Sequence, residues 1–225
     1  MSMELATVFG SPNVGVYIYA NNKLAFIPRD APEKLERQVR SVLGVRVYRA
    51  TVAGSRLMGV FIAGNDNGIV LPRVVGDEEL EAITSAAREL ELSVVVLDEV
   101  RETGLGNLVL ANDKGCLVSN ILPKSAAAKI SEALGLECAD GVIAGMPLVG
   151  SLAVATNMGL AVPPLITEDE LRELASLFRV PANVATVNRG RFFLRAGIVA
   201  NDRGALVGEE TTGVELMQLQ RTLFP

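Results

Sequence analysis

Histidine and tryptophan are both absent from the 225 residues. Without an imidazole, the chain has no His general acid or base, no Ser-His or Cys-His nucleophile and no His metal ligand. Cysteine occurs twice, at Cys116 and Cys138. So few thiols fit a reducing compartment, and both read as small buried side chains. No apolar run approaches the roughly 18 residues of a membrane span. The N-terminal MSMELATVFG has no basic segment ahead of an apolar stretch, so the expected location is the cytoplasm, with no membrane partner. A net charge of −5 argues against broad binding to a phosphate backbone, which uses clustered Lys and Arg. It suits a basic protein partner, and equally a surface that is simply soluble.

Known site motifs are also missing. There is no phosphate-binding loop and no dinucleotide fingerprint between a strand and a helix. Asn-Asp-x-Gly at Asn65, Asn112 and Asn201 offers one carboxylate per turn, too few for a calcium loop. Carboxylate pairs such as Glu78-Glu79 and Asp169-Glu170 fall where helix first turns are expected, and there they suit the macrodipole. The sequence therefore marks no catalytic residue, no cofactor site and no metal site.

What the chain does have is a repeat. The stretch Gly106 to Asn120, GNLVLANDKGCLVSN, reads as a β-hairpin: Leu108 to Ala111, a turn at Asn112-Asp113-Lys114-Gly115, then Cys116 to Val118. Asn and Asp close such turns with their own side chains, and Gly is expected to supply a positive φ at the last loop position. Near copies are Gly59–Leu71, Gly150–Val162 and Ala196–Val207, with Gly15–Ile27 a weaker first member. The last loop positions, Leu24, Gly68, Gly115, Gly159 and Gly204, are separated by 44, 47, 44 and 45 residues. A regular period of this size signals a repeat architecture. The fifth copy departs, because its Gly197 is four residues from Asn201 whereas Gly106 is six from Asn112.

A helix follows each hairpin. The apolar sets Leu35/Val39/Val42, Leu80/Ile83/Ala87/Leu90, Ile130/Ala133/Leu134, Leu171/Leu174/Leu177/Phe178 and Leu216/Leu219/Leu223 have helical spacing and read as core faces. Start and stop signals bracket them. Asp30-Ala31-Pro32-Glu33 offers an N-cap, Thr167 to Glu170 and Thr212 to Glu215 are capping boxes, and Gly44 and Gly135 are C-terminal stops. A third strand is expected after each of the first four helices, at Arg46–Val52, Leu92–Val100, Glu137–Ile143 and Asn183–Val187. The chain ends after the fifth helix, so Glu4 to Phe9 is expected to complete the fifth unit and close the ring. A propeller blade would have four strands and no helix. The pattern instead predicts an α+β fold: five tandem ββαβ units about a pseudo-fivefold axis, propeller-like, with strands inside and helices outside. The expected units are approximately 11–54, 55–102, 103–145, 146–189 and 190–225, with 4–9 joining the last, in a single domain over 1–225.

Four segments taken together resemble the archaeal translation initiation factor six family, over essentially the whole chain. They are Ala53-Gly54-Ser55-Arg56-Leu57-Met58-Gly59, Leu105-Gly106-Asn107 leading into Ala111-Asn112-Asp113, Leu148-Val149-Gly150-Ser151, and Thr186-Val187-Asn188-Arg189-Gly190. The resemblance implies a pentein fold and a ribosome anti-association factor. Such a factor binds the large ribosomal subunit, chiefly a ribosomal protein near the sarcin-ricin loop, and blocks small-subunit joining; it also acts in large-subunit maturation. The eukaryotic members' extra C-terminal tail is not matched here. A monomer is expected. Repeat geometry places Gly15, Gly59, Gly106 and Gly150 at strand starts around one rim. Val60, Asn107, Ser151 and Leu152 beside them are expected to form a nearly flat, largely uncharged docking patch. The competing reading is that these glycines only relieve crowding near the ring centre. Val60 stands where a basic residue is expected in eukaryotic relatives. Arg189 and Arg191 are candidates for contact with RNA phosphate, against the simpler reading of a solvated connection. Penteins also include guanidino-modifying enzymes that use Cys with His; the missing histidine disfavours that alternative.

Overall fold

The structure, a computed structural model, describes residues 2–225. The described strands form five three-stranded sheets. In each, a short hairpin strand pairs antiparallel with a central strand, and a third strand pairs parallel with that centre. Ala63–Gly64 runs antiparallel to Gly68–Pro72, and Ser93–Leu97 returns parallel to it after the helix Asp77–Arg88. The centres of the other sheets are Leu24–Pro28, Cys116–Ser119, Leu160–Val162 and Gly204–Gly208. Four of the five third strands follow their unit's helix. The fifth comes from the N-terminus: Ser2–Ala6 runs parallel to Gly204–Gly208, with Ser2 opposite Gly204 and Ala6 opposite Gly208. The two ends of the chain are thus fastened in one sheet.

The five long helices are Glu33–Leu43, Asp77–Arg88, Lys124–Leu134, Glu168–Phe178 and Gly213–Leu223. Both Thr capping boxes form, with the Thr167 and Thr212 hydroxyls accepting from the Glu170 and Glu215 N–H groups. Gly44 and Gly135 end their helices in left-handed conformation, φ 61° and 66°. The first helix starts at Pro32 rather than Asp30, whose carboxylate instead pairs with Arg56. Core clusters join neighbouring units: Tyr19, Leu24 and Phe26 of the first pack with Ile69, Leu71 and Ile83 of the second. A unit alone leaves much of its apolar surface uncovered, so stability depends on the neighbours.

Three expectations are corrected. The glycines placed at strand starts lie inside single helical turns, Val14–Tyr17, Met58–Phe61, Leu105–Leu108 and Val149–Leu152, and the strands begin only after them. The loop glycines do not adopt positive φ. They are needed for close approach: a Cβ on Gly68, Gly115 or Gly159 would stand 2.1, 2.2 or 1.8 Å from the Ala133, Leu177 or Thr222 carbonyl oxygen at the end of a helix in the next unit. Finally, Cys116 and Cys138 are joined in a disulfide, Cα to Cα 4.6 Å. They are direct partners across two parallel strands, a pairing that their separation of 22 residues does not reveal.

Candidate functional site

Strand direction defines two ends of the ring. The central and third strands both run away from the Asn-Asp turns, so whatever follows a third strand lies at the opposite end. There stand tight hairpins at Val8–Ser11, Val52–Ser55, Ile143–Met146 and Val187–Arg191, each leading into one of the helical turns. Phe9-Gly10, Ala53-Gly54 and Ala144-Gly145 are consecutive left-handed residues, the geometry of a type I′ turn. Val-Phe-Gly-Ser and Val-Ala-Gly-Ser 44 residues apart were the overlooked sequence signal for these tips.

Three tips are held by the carboxylates of glutamates at the third position of a long helix. Glu79 accepts from the Ala53 and Gly54 N–H groups at 2.8 Å each, and Glu170 accepts from Ala144 at 3.0 Å. Glu215 accepts from Arg189, Gly190 and the Thr186 hydroxyl. Burial pushes the Glu215 carboxyl up, but the Thr212 and Gly190 amides and the Thr186 and Thr212 hydroxyls outweigh it and hold it at about 2.

Beneath the tips the helical turns pack against one another around the axis. A Cβ on Gly59 would stand 1.8 Å from the Gly15 carbonyl oxygen, on Gly106 2.1 Å from that of Gly59, and on Gly150 2.3 Å from that of Gly106. All four glycines are buried, so relief of crowding is what the structure shows for them. The fifth turn is Leu194–Gly197, and its matching position is Arg195, six residues before Asn201. Leu152 is fully buried in the core and cannot reach a partner. Val60, Asn107 and Ser151 are half-buried. The Asn107 and Ser151 side chains form no hydrogen bond to the described residues. Arg189 and Arg191 are exposed, with no ion pair among the described residues. Aromatic and apolar side chains share this end. Phe9 is 40% exposed, stacks edge-on to Tyr17 at 5.6 Å and lies under the Arg56 guanidinium at 4.5 Å; Leu148 and Phe193 are each 37% exposed.

At the other end the turns clasp the ring. Asn21, Asn65, Asn112 and Asn201 each accept two N–H groups of their own turn, and their Nδ2 atoms donate to the backbone of the next unit. The residues after them form a closed circuit. The N–H groups of Asn22, Asp66, Asp113, Asn157 and Asp202 each donate to the side chain of the next member, at 2.7 to 2.9 Å, with Asp202 returning to Asn22. Among the described residues, no group of three His, Cys, Asp or Glu side chains is arranged to hold a metal ion.

Five such sheets and helices closed about an axis define a pentein fold. Solved structures share it: a mutant DDAH from Pseudomonas aeruginosa complexed with citrulline (TM-score 0.52, 14% identity, 76% of this chain and 68% of that one), and a dimethylarginine dimethylaminohydrolase adduct with S-methyl-L-thiocitrulline (0.52, 16%, the same coverage). At such identity the likeness concerns the fold alone. The sequence model of the eIF-6 family matches residues 3–222. Proteins called Translation initiation factor 6 are 47% identical in Pyrobaculum aerophilum over 96% of both chains. They are 39% identical in Staphylothermus marinus over 99% of this chain and 98% of that one, and 36% in Pyrococcus abyssi over 99% of each. The chain belongs to the eIF-6 family of translation initiation factors.

Proposed function

We propose that this factor docks through its hairpin-tip end on the large ribosomal subunit and prevents small-subunit joining by occupying the surface. The observation that carries the reading is Asn107: a half-buried amide without a hydrogen-bond partner among the described residues, beside Val60 and Ser151. Uncommitted polar groups among aromatics and arginines match the composition of protein interfaces. The partner is chiefly a ribosomal protein near the sarcin-ricin loop, with Arg189 and Arg191 in reach of rRNA phosphate. A closed ring loses little conformational freedom on docking. No bond is made or broken; the factor acts as a cytoplasmic monomer, also during large-subunit maturation.

Co-sedimentation with isolated large and small subunits, followed by light scattering of subunit joining, tests this. Binding to large subunits alone and suppressed joining are expected; binding to neither, or only to small subunits, overturns it. The enzymatic reading lacks support in this chain. It has no histidine, and its cysteines are bonded to each other. An amidine-hydrolysis assay is expected to show no turnover.

A further inference from the structure

We infer that the central channel holds one small inorganic anion, of halide size, between the Arg195 guanidinium and the Tyr19 hydroxyl. Both residues line a cavity of about 40 Å³, together with Leu110, Val154, Val199 and a collar of small residues. Arg195 is half-buried, its protein surroundings disfavour its charge, and it is one of the residues that line this cavity. Its side chain donates no hydrogen bond to a described residue, and no described carboxylate lies within the 4.0 Å of an ion pair. A partly buried cation with no counter-ion in reach favours an anion beside it.

Tyr19 supplies a second, independent sign. It is 1% exposed and its hydroxyl has no hydrogen-bond partner. The neighbouring Asn21 Oδ1 accepts from Lys23 and Leu24 and its Nδ2 donates to Asn65; its second N–H can only donate to the phenol oxygen, so the hydroxyl proton still lacks an acceptor. The hydroxyl also occupies space at the collar: a Cβ on Gly64 would stand 2.4 Å from it. Burial pushes the phenol far above its ordinary range, with Arg195 and Asn21 opposing and Asp66 and Asp113 adding to the rise, so it stays a donor.

Two donors, one of them cationic, converge on one space. Water would accept their hydrogen bonds but leave the charge; an anion answers both needs. The volume suits a monatomic anion with about one or two waters. The carboxylates of Asp66, Asp113 and Asp202 lie beyond the collar of Ala20, Gly64, Ala111, Ala155 and Ala200, where their oxygens are engaged by Asn22 and Asn157.

Crystals of the whole chain grown in bromide, with data collected at the bromine absorption edge, test the assignment directly. An anomalous peak within hydrogen-bonding reach of Arg195 and Tyr19 is expected; a cavity holding only water overturns it. In solution, exchanging gluconate for bromide at constant ionic strength is expected to raise the melting temperature of the wild type by a few degrees. Arg195→Met should weaken the apparent bromide affinity at least ~10-fold, and equal bromide responses in both proteins overturn the proposal. Should Arg195→Met fail to fold, Tyr19→Phe serves in its place: a reduced response is expected, and an undiminished response together with a water-filled cavity overturns the site.

Discussion

The Asp66 N–H donates to the Asp113 carboxyl at 2.9 Å and no side-chain amide stands between these two carboxyls, whereas every other neighbour pair in the inner circuit joins a side-chain amide to a carboxylate. Asn22 Nδ2 donates to Asp66 and to Asp202, and Asn157 Nδ2 donates to Asp202 and to Asp113. Five members cannot alternate Asn and Asp, so one like pair is unavoidable; with three Asp and two Asn it is a pair of acceptors, and only a proton makes it attractive. Burial and then Asp113 raise the Asp66 carboxyl to about 6, against lowering by Asn22.

From that pair follows a pH signature. The folded value of about 6 lies above the ordinary 3.8, so the folded state binds the extra proton between them, and stability falls as pH rises through that window. Asp66→Asn retains a donor toward Asp113 without the charge. Allowing for the partial exposure of the site, it should be more stable than wild type by about 1 kcal/mol at pH 8 and equal to it near pH 4. Urea melts at the two pH values check this.

Glu215 has the opposite sign. Its carboxyl at about 2, against an ordinary 4.5, contributes stability that is fully present above pH ~4.5 and is lost as pH falls toward 2. The side chain is 8% exposed, although only part of its surroundings is protein, so a discounted value applies. Glu215→Gln should cost about 1 to 2 kcal/mol at pH 7 and almost nothing near pH 2, measured by denaturant unfolding.

The N-terminal strand closes the fifth sheet, and it also buries Ala6 and Val8. Deleting residues 1–9 should lower the melting temperature by about 10 °C or more. An unchanged melting temperature would show that closure does not depend on this strand.

The Cys116–Cys138 bond closes a segment whose ends are 22 residues apart, which corresponds to about 3 kcal/mol in the chain-entropy description. A reductant should therefore lower the melting temperature of the wild type by about 6 to 12 °C and leave that of Cys138→Ser unchanged. Mass spectrometry after alkylation without reductant should find no modified cysteine.

Docking and scaffold separate at adjacent positions. Asn107→Lys should abolish co-sedimentation with large subunits at an unchanged melting temperature. Gly106→Ala, whose Cβ would stand 2.1 Å from the Gly59 carbonyl oxygen, should cost about 3 kcal/mol of stability. Undiminished binding by folded Asn107→Lys would remove the proposed patch.

Much of this architecture was legible in a single sequence because its signals are local and recur. The Asn-Asp turns, the apolar stripes such as Leu35, Val39 and Val42, and the Thr167 and Thr212 capping boxes each act within one unit. Their period of about 45 residues determined the fivefold count, and the missing third strand of the last unit determined that the N-terminus must supply it. Asn107 could be singled out as a polar residue before an apolar run, but not as an amide without a partner.

What only the tertiary structure decided lies between units. Gly59 is glycine because of the Gly15 carbonyl oxygen, Gly68 because of Ala133, and Gly106 because of the Gly59 carbonyl oxygen. Cys116 finds Cys138 through a parallel register, Asp66 finds Asp113 through closure of an odd ring, and Arg195 enters the channel where the other units have no side chain. Each of these contacts joins segments that packing brings together, and their geometry depends on how five units close on one axis. The pattern within any one repeat is satisfied equally well with or without them.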